Sequence, residues 1–85
     1  MNLLLVDDNS SIVESLFQVL SEERYQVVTA SDGLEALEAL QQQSFDLVLT
    51  DLNMPRMGGM DLVAEIRKMR NPPPVIIITA YATME

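Results

Sequence analysis

Leu3-Leu4-Leu5-Val6-Asp7-Asp8 is a short apolar run that stops abruptly at two carboxylates. Such a run, with no alternation of polar residues, reads as a strand buried on both faces, the pattern of a parallel sheet. The same punctuation returns further along. Phe45 to Thr50 is a second apolar segment, and it ends at Asp51. Val75-Ile76-Ile77-Ile78 is another, and it ends at Thr79. Gln26 to Ala30, carrying Val27-Val28-Thr29, is one more short strand.

The stretches between these strands have helical spacing. After Asn9-Ser10, Ser11 and Glu14 stand at capping-box distance, and Ile12, Val13, Leu16, Phe17 and Leu20 recur every three or four residues. That predicts a helix over 11–22. Asp32 with Glu35 opens a second helix, whose stripe is Leu34, Leu37 and Leu40. Asn53-Met54-Pro55-Arg56-Met57-Gly58-Gly59 is turn chemistry. Met60, Val63, Ile66 and Met69 line a third helix. Arg67, Lys68 and Arg70 sit near its end, where they complement the helix dipole. Asn71-Pro72-Pro73-Pro74 stops it. An apolar strand follows at once, so the proline stretch is a loop and not a domain boundary. The order is βαβαβαβ with short connections, which implies a parallel sheet with helices on both faces.

Composition excludes several classes of function. The chain has 85 residues, a one-domain length, and 48% of them are hydrophobic, enough for a core. No apolar stretch is long enough to span a membrane, and Met1 to Val6 is too short for a secretory signal. The chain has no cysteine and no histidine, hence no disulfide, no thiolate or imidazole metal site and no Ser–His or Cys–His dyad. Asp and Glu number 13 against 5 Lys and Arg, for a net charge of −8. Direct nucleic-acid binding by this surface is not expected, because phosphates would be repelled.

The carboxylates are gathered as well as numerous. In an open parallel sheet, ligands sit beyond the carboxyl ends of the strands, where the strand order reverses. Asp7 and Asp8 end the first strand, Asp51 the third, and Thr79 the fourth. Each alone has an ordinary structural reading: a helix cap, a solvated loop carboxylate, a strand-end hydroxyl. Together they stop strands of one sheet on the same side. Converging carboxylates repel unless a cation is present. A hard divalent ion such as Mg²⁺, bound by carboxylates, waters and a phosphate oxygen, answers that need.

These residues closely resemble the receiver domain of two-component response regulators. The resemblance lies in the LLLVDDN opening, the VLTDLNMPRMGGMDL segment around Asp51 and the VIIITAYA segment after the prolines. It spans essentially the whole chain. It implies a flavodoxin-like doubly wound α/β sheet, here βαβαβαβ with strand order 2-1-3-4. It implies Asp51 as phospho-acceptor and Asp7, Asp8 and Asp51 as carboxylate ligands of Mg²⁺, with Mn²⁺ as a substitute. By the same resemblance the Asn53 backbone carbonyl completes the metal site, and Thr79 is the hydroxyl that binds the phosphoryl group. Pro55 and Gly58 match the loop that shapes the pocket. The partner implied is a sensor histidine kinase, the location cytoplasmic, and the chain an acceptor rather than an independent enzyme. The TAYATME ending is most similar to receivers attached to transcriptional activators. A haloacid-dehalogenase-type enzyme fits poorly, since Asp51-Leu52-Asn53 has no second acid two residues on.

A complete receiver carries a fifth strand and two more helices, with a phosphoryl-pairing lysine on that strand. The resemblance therefore makes residues 1–85 a single, C-terminally incomplete receiver domain. The only lysine, Lys68, has no likeness to the missing one, nor Tyr81 to the family's aromatic. The fourth strand then becomes an apolar edge, and one sheet face is left partly bare. The expectation is a homodimer or segment-exchanged oligomer formed through that strand or face. A non-signalling, self-associating module is the alternative function.

Overall fold

The computed structural model describes residues 1–78. Four strands and three helices alternate: β1 (Asn2–Val6), α1 (Ser10–Glu22), β2 (Gln26–Ala30), α2 (Gly33–Gln42), β3 (Leu47–Asp51), α3 (Gly59–Arg67) and β4 (Val75–Ile78). The strands form one parallel sheet in the order β2-β1-β3-β4. This is the expected doubly wound arrangement. The order reverses between β1 and β3, which places the switch point at the carboxyl ends of those two strands.

β1 is the centre of the sheet, and its composition explains why. Leu3, Leu4, Leu5 and Val6 are all buried, as they must be when helices cover both faces. Leu4 and Val6 join Val48 of β3 beneath α2 and α3, which contribute Ala36, Leu40, Leu62 and Ile66 to the same core. Leu3 and Leu5 point to the opposite face, the side of α1. α1 itself contains no buried residue, and Phe17 is exposed.

Several local expectations are corrected. The N-cap of α1 is Asn9, two residues earlier than the Ser11–Glu14 spacing suggested. Its side-chain oxygen accepts from the amides of Ser11 and Ile12 at 3.0 and 3.2 Å. At α2 the Asp32–Glu35 pairing holds: Asp32 Oδ1 accepts from the Glu35 amide, while Glu35 reaches back to the Ser31 amide. Leu34 is exposed, and Ala36 takes its place in the core. Met60 is 62% exposed, so the third stripe begins at Leu62. α3 ends at Arg67, with Lys68 as its C-cap, so Met69 packs against the core from beyond the helix. β3 starts at Leu47 rather than Phe45 and includes Asp51 as its last residue. Among the described residues, no helix is long and apolar enough to cross a membrane.

Candidate functional site

β1 and β3 lie side by side with Val6 opposite Thr50. One step further along, each strand ends on an acid. Carboxylate oxygens of Asp7, Asp8 and Asp51 come within 4.8 Å of one another. The three residues differ in surroundings: Asp7 is 5% exposed, Asp51 half-buried and Asp8 exposed. Asp7 is tied down on both sides. Its amide donates to the Ala30 carbonyl of β2 at 3.1 Å, and its Oδ1 accepts from the Asn9 amide at 2.9 Å.

Burial, with the nearby charges of Asp51 and Asp8, raises the Asp7 carboxyl above its ordinary value; the Asn9 amide opposes the shift. No cation offsets this cluster among the described residues. The two ion pairs found there are Arg56–Asp32 and the surface pair Lys68–Glu65. Three oxygen donors at this spacing suit a hard divalent ion. Asp7, Asp8 and Asp51 would hold such an ion once their side chains close in on a common centre.

The loop after β3 is shaped by close backbone approach. The Gly59 amide donates to the Leu52 carbonyl at 2.8 Å. A Cβ on Gly59 would collide with the Asp51 carbonyl oxygen and stand 3.0 Å from Leu52 Cα. Gly58 is less confined, with only the Leu52 carbonyl oxygen at 3.0 Å. Glycine at 59, more than at 58, lets α3 start close against the Asp51 backbone. Asn53 is exposed at the start of this loop, and Met54 and Met57 pack against the core. Thr79 lies outside the described residues, as does Tyr81.

Sequence reading overlooked Arg56. Its Nε and Nη2 both reach Asp32 Oδ2, at 2.7 and 2.6 Å. The Arg56 guanidinium helps hold the Asp32 carboxyl below its ordinary value, after the Glu35 amide, which is the larger cause; burial opposes both. Nothing local in the sequence signals a pair separated by 24 positions.

The described residues thus form an open parallel α/β sheet with an acidic cluster at its switch point. The model of the response regulator receiver domain matches residues 3–85, and the chain belongs to that family. Among curated relatives, it is 46% identical over 83 residues to the transcriptional regulatory protein GlrR of Escherichia coli strain K12, covering 98% of this chain and 19% of that protein. It is also 46% identical, over 78 residues, to a CpxR homolog from Haemophilus influenzae, covering 92% of this chain and 34% of the relative. The chain thus spans about a fifth and about a third of the length of these relatives. Among solved structures, the chemotaxis response regulator CheY4 of Vibrio cholerae superposes with a TM-score of 0.88 at 34% identity, covering 96% of this chain and 70% of that one. TrrA of Thermotoga maritima, solved with Mg²⁺-BeF, has a TM-score of 0.88 at 40% identity, with 95% and 70% coverage.

Proposed function

We propose that this receiver domain accepts a phosphoryl group on Asp51 from a phosphohistidine of a sensor histidine kinase, in a site that holds Mg²⁺. The observation that carries the reading is the convergence of Asp7, Asp8 and Asp51 within 4.8 Å. Asp51 is the acceptor because it is the last residue of β3, at the switch point, on a backbone held by the Gly59 approach. Its carboxylate oxygen forms the new bond to phosphorus while the phosphorus–nitrogen bond of the donor breaks, and the electron pair leaves with the imidazole. Asp7 and Asp8, with the Asn53 backbone carbonyl, are the further proposed ligands. Bound Mg²⁺ supplies charge neutralisation for the carboxylate and the incoming phosphoryl oxygens. Thr79 is the proposed hydroxyl contact to the transferred group. The solved complex of the Thermotoga relative with Mg²⁺-BeF supports the same chemistry here. Calorimetric titration of beryllofluoride in the presence of Mg²⁺ tests it. Binding that vanishes in Asp51→Asn and in EDTA is expected; equal binding by Asp51→Asn refutes the assignment.

Self-association of the 85-residue chain is a second reading, favoured by one observation. Among the described residues β4 is paired on one side only, and Ile76 and Ile77 are 49% and 36% exposed. Neighbouring strand residues face opposite ways, so apolar surface is open on both faces and backbone groups along the edge. Another strand fits there, and for the isolated chain we propose that a second copy supplies it. A monomer mass independent of concentration at micromolar protein would refute this.

A further inference from the structure

Arg56 occupies the left-handed region of backbone space, with φ of 65°. The Met57 amide donates to the Pro55 carbonyl at 2.6 Å, closing a three-residue γ-turn around it. A bulky residue in this conformation persists only when its surroundings hold it there. Two contacts do so, both to the first turn of α2. The Arg56 guanidinium places two N–H groups on Asp32 Oδ2, while Asp32 Oδ1 caps the helix through the Glu35 amide. One residue along, the Gly33 amide donates to the Met57 carbonyl at 3.0 Å. Gly33 cannot be larger: a Cβ there would lie 2.8 Å from Met57 Cβ and 2.9 Å from the Met57 carbonyl oxygen.

The consequence concerns the cation site. The loop from Asp51 to Gly59 is fastened at its near end by β3 and the Gly59–Leu52 hydrogen bond, and at its outer bend by Asp32 and Gly33. Asn53 lies between these fastenings. We propose that Arg56 is a positioning residue for the metal site: its ion pair with Asp32 locks the β3–α3 loop onto the start of α2 and so sets the Asn53 carbonyl relative to Asp51. This rests on the metal reading given above. Supports that orient a ligand without touching the ion commonly change metal affinity tenfold or more.

The sign of the effect separates this role from simple electrostatics. Removing a positive charge near an acidic cluster would strengthen cation binding, and removing a negative charge would weaken it. Positioning requires that Arg56→Ala and Asp32→Asn both weaken it. Mn²⁺ affinity, read from the electron paramagnetic resonance of the free ion, is measured on the 85-residue chain, on both single variants, on the double variant and on Arg56→Lys. Urea unfolding and circular dichroism confirm that each is folded. Both single variants should lose about tenfold in affinity. The double variant should lose no more than either, because the two residues act through one contact. Arg56→Lys should recover part of the loss, since it keeps the charge without the paired N–H geometry. In the metal-free chain, Arg56→Ala should also speed hydrogen exchange at the Gly33 amide. Equal or tighter Mn²⁺ binding by Arg56→Ala, or unchanged Gly33 exchange, overturns the inference and leaves the metal reading standing. An unmutated chain that fails to bind Mn²⁺ overturns the metal reading, and this role with it.

Discussion

Asp7→Asn should make the metal-free chain more stable and abolish its response to Mg²⁺. The substitution keeps the shape of the side chain and the oxygen that accepts from the Asn9 amide. It removes a charge from a buried position beside two others. At 4.8 Å, each pair of unit charges repels by about 0.9 kcal/mol in water and about 3.5 kcal/mol at an effective dielectric of 20. Asp8 is exposed and Asp51 half-buried, so the lower half of that range applies. The new amide can also donate to a neighbouring carboxylate. Two such repulsions are relieved, and the weaker hydrogen bond that a neutral oxygen accepts from the Asn9 amide offsets part of the gain, leaving about 1–2 kcal/mol at pH 7. The pH dependence has a definite sign. Burial, then Asp51 and Asp8, raise the Asp7 carboxyl, so the folded chain holds this proton to higher pH than the unfolded chain. Its contribution therefore makes stability fall as pH rises above the ordinary value of 3.8, and the variant lacks that fall. Mg²⁺ offsets that difference for the unmutated chain, adding about 1.4 kcal/mol at ten times its dissociation constant. The assay is urea unfolding at pH 7, in EDTA and in millimolar MgCl₂. A variant less stable than its parent in EDTA would show that the Asp7 charge is not a burden to the metal-free fold, and equal stabilisation of both chains by Mg²⁺ would show that Asp7 is not a ligand.

Three further outcomes follow from the same geometry. Gly59→Ala forces a Cβ against the Asp51 carbonyl and should lower stability by about 1–3 kcal/mol, read from the urea midpoint; an unchanged midpoint would show that the loop yields freely. Asp32→Asn should be less stable than its parent at pH 6, with the difference closing as pH falls below 3.8 through the depressed folded value, because that carboxylate is stabilised by the Glu35 amide and Arg56; a difference constant between pH 3 and pH 6 would contradict this. Asp8→Ala should weaken Mg²⁺ binding in a calorimetric titration far more than Glu38→Ala, since Glu38 is exposed on α2 and outside the acidic cluster.

Much of the site was readable because strand ends are punctuated by polar residues. Leu3 to Val6 could only be a strand covered on both sides, and whatever followed it had to lie at the sheet edge. That logic placed Asp7, Asp8 and Asp51 together before any coordinates. Helix faces were harder. Leu34 and Met60 continue the apolar spacing of their helices, yet both are exposed, while Gly33 and Gly59 beside them form the buried side of each first turn. Asn9 outcompeted Ser11 as a cap because the chain turns immediately after Asp8, putting the Asn9 oxygen over the first free amides. Arg56 was invisible for a different reason. Its partner is distant in sequence, and its role depends on a left-handed backbone that arginine does not advertise. Long-range fastening of loops leaves little trace in periodicity or composition.

As the proposed phosphoryl acceptor of a cation-assisted site, Asp51 should become modified only when a divalent ion is present. The direct measurement is incubation of the chain with a small-molecule phosphodonor and Mg²⁺, followed by intact-mass spectrometry and trapping of the acyl phosphate for peptide mapping. The expected result is one added phosphoryl group, carried by the peptide containing Asp51, absent in EDTA and absent in Asp51→Asn. A phosphoryl group mapped to Asp7 or Asp8, or one that forms equally well without a divalent cation, would contradict it.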